Sequence, residues 1–136
     1  MLRRVATRPV LLALAACLLA GCGESGPTDE ERVRATLADF QRATRARDYR
    51  TLCDRIIAPE LIDSLEQIGL PCEMALQKAF EDVEDPQLTV GAIEVEDGRA
   101  TAEVRSSAAG ESPSQDTVEL VRVGDGWRIA SLAATR

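Results

Sequence analysis

The spacing of apolar residues changes once along this chain, close to Pro86. Before Pro86 they recur three and four positions apart, as in amphipathic helices, and after it they alternate, as in strands. Asp97-Gly98 and Gly124-Asp125-Gly126 interrupt the alternating region and favour tight turns between antiparallel strands. Helices followed by an antiparallel meander predict an α+β domain, in which the N-terminal helices pack on one face of a curved antiparallel sheet.

Residues that begin or end helices divide the first part of the chain. Thr28 and Glu31 have the pattern of a capping box, Asp48 breaks the first helix, and Gly69 ends the third. The predicted helices cover 29–46, 49–58, 61–68 and 72–83. The predicted strands cover 88–96, 99–105, 116–123 and 127–132, with a polar loop over 106–115.

The first 22 residues have the pattern of an export signal. Arg3, Arg4 and Arg8 precede a wholly apolar run over 10–20, which is too short to span a bilayer. Leu19-Ala20-Gly21-Cys22 then resembles the lipobox of bacterial lipoproteins, in which the cysteine is acylated and becomes the N-terminus. The alternatives are an ordinary secretory signal cut elsewhere and a short buried helix.

The lipobox resemblance implies a location and three segments. The protein is expected at the cell membrane, facing outside the cytoplasm and anchored by lipid on Cys22, with palmitate among the expected acyl chains. The membrane is thus a partner through that lipid. The segments are a signal-peptide helix over 1–21, the lipidated cysteine with its flexible tether over 22–27, and a folded domain over 28–136.

The four cysteines separate into different groups under this interpretation. Cys17 is removed with the signal and Cys22 carries the lipid, which leaves Cys53 and Cys72 in an oxidising compartment. An even pair of cysteines there usually forms a disulfide. A redox-active pair and two free thiols are the alternatives, although the pair lacks the C-x-x-C spacing of redox motifs.

Composition excludes several functions. The net charge of −7 argues against a nucleic-acid partner, because phosphate binding needs a basic surface. The chain has no histidine, so catalysis by a histidine base and metal sites with histidine ligands are excluded. No metal or other cofactor is expected. The acidic run over 81–85 lacks the spacing of a calcium loop.

Three features together suggest a fold family. They are the long first helix, the Asp48-Tyr49-x-x-Leu52-Cys53 segment and the Gly124-Asp125-Gly126-Trp127-Arg128-Ile129 strand. These resemble the NTF2-like (nuclear transport factor 2) superfamily, which includes SnoaL-type and ketosteroid-isomerase-type proteins, and in particular small actinobacterial lipoproteins with this domain. The resemblance covers about 28–132 and implies a cone-shaped cavity, often holding a small apolar ligand. The short chain implies that one strand or small helix of the fold is reduced or missing.

No catalytic residue can be assigned from a local motif. Tyr49 and Trp127 are the candidate pocket residues, although packing in the core is the favoured explanation of both. The favoured function is a non-enzymatic, lipid-anchored domain that binds a small apolar ligand or an envelope protein. The alternatives are a purely structural envelope protein and an isomerase- or cyclase-type enzyme that uses an aspartate inside the cone.

Overall fold

The computed structural model describes residues 26–134, with side chains as far as Ser131. The predicted signal-peptide helix, Cys22 and most of the tether lie outside the described residues, as do the last two residues of the predicted domain. The helices are Asp29–Arg45 (α1), Tyr49–Thr51 (α2), which continues as the π-helix Leu52–Ile56, Pro59–Gln67 (α3) and Cys72–Ala79 (α4). The strands are Gln87–Glu96 (β1), Arg99–Ser107 (β2), Ser114–Val123 (β3) and Gly126–Ala134 (β4).

Helix α1 begins at the predicted capping box. The Thr28 hydroxyl accepts a hydrogen bond from the Glu31 amide at 3.2 Å, and the Glu31 carboxylate accepts one from the Thr28 amide at 2.6 Å. Three acidic residues in the first turn face the positive end of the helix dipole. The buried side of α1 consists of Val33, Leu37, Phe40, Ala43 and Thr44.

The segment after Asp48 differs from the predicted α-helix over 49–58. The Ile57 amide donates to the carbonyl of Leu52 at 2.8 Å, and this five-residue spacing defines a π-helix. Ile57 then leaves the helix and pairs with Ile129 of β4, where the Ala58 amide donates to the Ile129 carbonyl at 2.8 Å. The edge of β4 is therefore covered at this point.

Helices α3 and α4 form a hairpin around Gly69. This glycine has a φ of +75° and ends α3, as predicted, because a left-handed residue stops a helix most easily when it is glycine. Helix α4 is shorter than the predicted 72–83 segment and ends at Ala79. The following residues form a turn, in which the Val83 amide donates to the Phe80 carbonyl at 3.2 Å.

The four strands form one antiparallel sheet in the order β1-β2-β3-β4. Tight turns at Asp97-Gly98 and at 123–126 join neighbouring strands, as the sequence predicts. Strand β3 begins at Ser114, two residues before the predicted start, and β2 extends to Ser107. Register shifts in β1 and between β3 and β4 bend the sheet.

One face of the sheet packs against α1 and the π-helix. Strand β2 contributes Ala100, Ala102 and Val104 to this face, and their small size leaves room for the larger side chains of α1. The fully buried large side chains of the shared core are Val33, Leu37, Leu52, Val118, Leu120 and Ile129. Within residues 26–134, no helix combines the length and apolar character needed to cross a membrane.

Candidate functional site

The inner face of the sheet is filled along most of its length. Leu37, Leu120 and Ile129 are at most 1% exposed and belong to one continuous core with the π-helix. Among the described side chains, this core occupies the centre of the inner face. Any ligand site on this face must therefore lie where the packing of α1 against the sheet ends.

A cleft of about 200 Å³ lies at that position, near the C-terminal end of α1; we call it the α1 cleft. Its apolar wall is formed by Phe40 of α1, Phe80 and Val83 of the turn after α4, and Leu88 of β1. The rings of Phe40 and Phe80 meet edge to face, with centroids 6.4 Å apart. The remaining lining residues are Gln41, Thr44, Pro86, Gln87, Ser106, Ser107, Ala108, Glu111, Ser112 and Ser114.

Thr44 is the buried polar residue of the α1 cleft. It is 6% exposed, and its hydroxyl forms no hydrogen bond with any part of the described chain. An unpaired buried hydroxyl costs free energy, because it loses its hydrogen bonds to water without replacement. A group that enters the cleft and bonds to Thr44 would recover that cost.

A second polar group lies at the mouth of the same cleft. Ser106 of β2 and Ser114 of β3 are direct cross-strand partners, and their hydroxyl oxygens are 2.8 Å apart. The Ser114 hydroxyl donates to Oδ2 of Asp116 at 2.8 Å. Asp116 is half-buried and pairs in register with Val104, a core residue, but only the two serines are among the residues that line the cleft.

The sequence interpretation missed this serine–aspartate group. Residues 106–115 were predicted to be a loop because serine, glycine and proline are frequent there. One pattern in the sequence could have indicated this group. Ser114 and Asp116 occupy alternate positions in line with Val118 and Leu120, which are the buried residues of β3.

The two predicted pocket residues lie elsewhere. Tyr49 is half-buried against the core, and its hydroxyl is buried without a hydrogen-bond partner among the described residues. Trp127 is 3% exposed and is part of the core. Neither belongs to the wall of the α1 cleft, and contact of either residue with a ligand stays a prediction.

Trp127 and Asp29 join the start of α1 to β4. The Trp127 indole donates to Oδ1 of Asp29 at 3.3 Å, and the Arg122 guanidinium donates to Oδ2. Arg122 also lies over the indole, 4.9 Å from the ring centroid. The hydrogen bond from Arg122 lowers the pKa of Asp29, assisted by Trp127 and the nearby positive charges and opposed by partial burial.

Several acidic side chains elsewhere have structural partners. Asp48 caps α2, and hydrogen bonds from the backbone amide and then the hydroxyl of Thr51 lower its pKa. Asp85 of the acidic run pairs with Arg45 at 3.3 Å. Residues 26–134 contain no cluster of three acidic, cysteine or histidine side chains placed to bind a metal ion.

Cys53 and Cys72 form a disulfide, as predicted, with their Cα atoms 6.0 Å apart. The bond joins the π-helix to the first residue of α4. Both cysteines are buried, at 6% and 8% exposure. The disulfide therefore fixes α4, whose C-terminal end carries Phe80 of the cleft wall.

Comparison with known proteins supports the fold. Neither a family model nor a curated protein matches this sequence. The chain is similar in structure to NT-9, a de novo designed NTF2-fold protein, with a TM-score of 0.52 and 12% sequence identity. The match covers 78% of this chain and 87% of NT-9. The domain therefore has an NTF2-like fold, in agreement with the resemblance in its sequence.

Proposed function

We propose that this protein is a lipid-anchored, extracytoplasmic domain that binds a small, mainly apolar ligand in the α1 cleft without catalysing a reaction. The observation that supports binding is the unpaired, buried Thr44 hydroxyl beside an apolar wall. Ligand-binding sites commonly combine apolar walls with a few polar groups, and the α1 cleft has both.

The size of the cleft limits what can bind. Sites for drug-sized molecules usually have volumes of ~300–1,000 Å³. The α1 cleft, at about 200 Å³, is smaller. It suits one end of a ligand, such as an alkyl chain or a single ring, with the rest of the molecule in solvent.

The binding proposal is tested by blocking the cleft. Wild-type protein should increase the fluorescence of the neutral apolar probe N-phenyl-1-naphthylamine in a saturable titration. Val83→Arg places a long charged side chain in the wall and should raise the dissociation constant at least ~10-fold. The matched control is Ile68→Arg, because Ile68 is 75% exposed in the α3–α4 turn and lies outside the cleft.

Circular dichroism of both variants establishes that they remain folded. Equal probe binding by the wild-type protein and the Val83→Arg variant would contradict a site in the cleft. No binding by the wild-type protein would favour the structural alternative, which the filled core also fits.

Membrane anchoring rests on the lipobox resemblance and is tested separately. Each buried methylene of an acyl chain contributes ~0.8 kcal/mol, and two or more chains hold a protein stably in a bilayer. Cys22→Ser in the full chain should move the protein from the membrane fraction to the soluble or secreted fraction. The matched control is Cys17→Ser, which should leave fractionation unchanged; membrane retention of the Cys22→Ser protein would contradict lipid anchoring.

A further inference from the structure

We infer that the α1 cleft selects ligands whose polar end donates hydrogen bonds, and that it prefers a primary ammonium to a carboxylate. This inference rests on the proposed ligand-binding function and specifies the class of ligand. It follows from the direction of the hydrogen bonds in the serine–aspartate group and from the charges around the cleft.

The hydrogen bonds between Ser106, Ser114 and Asp116 have a defined direction. The Asp116 carboxylate is an acceptor, and the Ser114 hydroxyl donates its single proton to Oδ2 at 2.8 Å. The Ser114 oxygen is then free to accept, and the Ser106 hydroxyl lies 2.8 Å from it. The Ser106 hydroxyl also donates to Oδ2 of Asp116, at 3.3 Å, so both serine protons are used within the group and are directed towards the carboxylate.

This chain of hydroxyls makes the mouth of the cleft an acceptor. Ser106 and Ser114 use their protons within the group, so their oxygen lone pairs are what they offer to a ligand. Asp116 is not itself part of the cleft wall, but it is hydrogen-bonded to both serines, and its negative charge strengthens the acceptor character of their oxygens. A ligand donor is therefore matched here, whereas a carboxylate would face oxygen lone pairs without a proton between them.

The charges around the cleft favour a cation. The described lining residues include Glu111 and no lysine or arginine. Asp116 forms no ion pair within the described chain. The nearest helix-end arginines are already engaged: Arg45 pairs with Asp85 at 3.3 Å, and Arg47 donates to the carbonyls of Phe80 and Val83 at 3.5 Å. The negative charge of Asp116, directly behind the two serine hydroxyls of the wall, therefore favours an ammonium group bound to their oxygens.

Thr44 supplies the remaining interaction. Its unpaired hydroxyl lines the same cleft and can both donate and accept. An ammonium has three protons, so it can bond to more than one of these oxygens at the same time. A hydroxyl ligand has one proton and should bind with intermediate affinity.

The test uses three probes with the same alkyl chain: dodecylamine, 1-dodecanol and dodecanoate. Each is titrated below its micellar concentration, at pH 7, in competition with N-phenyl-1-naphthylamine on the purified protein. We expect dodecylamine to bind at least ~10-fold more tightly than dodecanoate, with 1-dodecanol between them. Asp116→Asn removes the negative charge, and the new amide can donate to Ser114, which reverses the direction of that hydrogen bond. The ratio of the dissociation constant of dodecanoate to that of dodecylamine should therefore fall ~10-fold.

Glu119→Gln is the matched control. Glu119 lies on the same strand but is exposed on the opposite face of the sheet, so this change removes one charge outside the cleft. The ratio of dissociation constants should then stay close to the wild-type value. Ser106→Ala provides a second test, because it keeps the carboxylate but removes one of the two serine acceptors, and it should lower the ratio part of the way.

These experiments distinguish failure of the proposed function from failure of the inference about the ligand. If the wild-type protein does not bind the fluorescent probe, the proposed function itself is wrong. If it binds the probe but does not prefer dodecylamine, the inference about the ligand is wrong while the function stands. Equal effects of Asp116→Asn and Glu119→Gln would also overturn the inference, because the preference would then arise from overall charge.

Discussion

Replacement of both Cys53 and Cys72 by alanine should lower the free energy of unfolding by about 3 kcal/mol. The disulfide closes a loop with a sequence separation of 19 residues. In the chain-entropy model, a loop of this length restricts the unfolded state enough to stabilise the fold by ~3 kcal/mol at 25 °C. The total stability of a domain of this size is ~5–15 kcal/mol, so the loss is a large fraction of it.

The structure also predicts which part of the domain loses most stability without the disulfide. Cys72 is the buried residue of α4, whereas Met74 is 57% exposed and Leu76 only half-buried. Without the disulfide, α4 retains few buried contacts and should open more easily than the sheet. Because Phe80 follows α4 directly and lines the α1 cleft, opening of α4 should also weaken probe binding.

Urea denaturation and hydrogen exchange measure these two effects. With a slope of ~1–3 kcal/mol per molar urea, the midpoint should fall by about 1–3 M in the double variant. A reductant should lower the wild-type midpoint similarly and leave the variant unchanged. Amide exchange over 72–79 should accelerate at least ~10-fold more than exchange in β2 and β3. A stability loss below ~1 kcal/mol, or uniform acceleration of exchange, would refute the assigned role of the disulfide.

Two further substitutions test the core and the start of α1. Leu37→Ala removes a fully buried side chain and should cost ~2–5 kcal/mol in urea denaturation, whereas Ile68→Ala, at an exposed position, should change stability by less than ~0.5 kcal/mol. The pKa of Asp29 is lowered in the folded protein, so the ionised carboxylate contributes to the free energy of unfolding. This contribution is present above pH 3.8, the ordinary pKa of aspartate, and is lost as the pH falls through the lower pKa of the folded state. Asp29→Asn should therefore destabilise the protein at pH 7, and its midpoint should approach the wild-type value below pH 3.8; an equal difference at both pH values would contradict the Asp29–Arg122 interaction.

Local patterns were sufficient to predict most of the fold. The capping box at Thr28 and Glu31 positions the start of α1, because it depends on residues three positions apart. Asp97 and Gly98 both adopt positive φ, as the turn between β1 and β2 requires. These signals act over a few residues and are visible without knowledge of the rest of the chain.

The differences from prediction arise from long-range contacts. The π-helix ends where Ile57 pairs with Ile129, 72 positions away in the chain. A contact over that distance cannot be predicted from the helical spacing of nearby residues. Ser106 and Ser114 belong to strands because they pair with each other, although their composition is typical of a loop. The α1 cleft depends on how α1 crosses the sheet, so no local pattern within α1 predicts it.

The relative positions of the proposed anchor and the cleft bear on the ligand. Helix α1 has 17 residues and is therefore ~25 Å long, with the tether at its N-terminal end and the cleft near its C-terminal end. A ligand that stays in the bilayer would require the domain to lie along the membrane. The whole sequence has a net charge of −7, and loss of the three arginines of the proposed signal makes it more negative, which opposes such contact with anionic headgroups. A cationic amphiphile that reaches the cleft through water needs no such contact, and the acceptors around Asp116 match it.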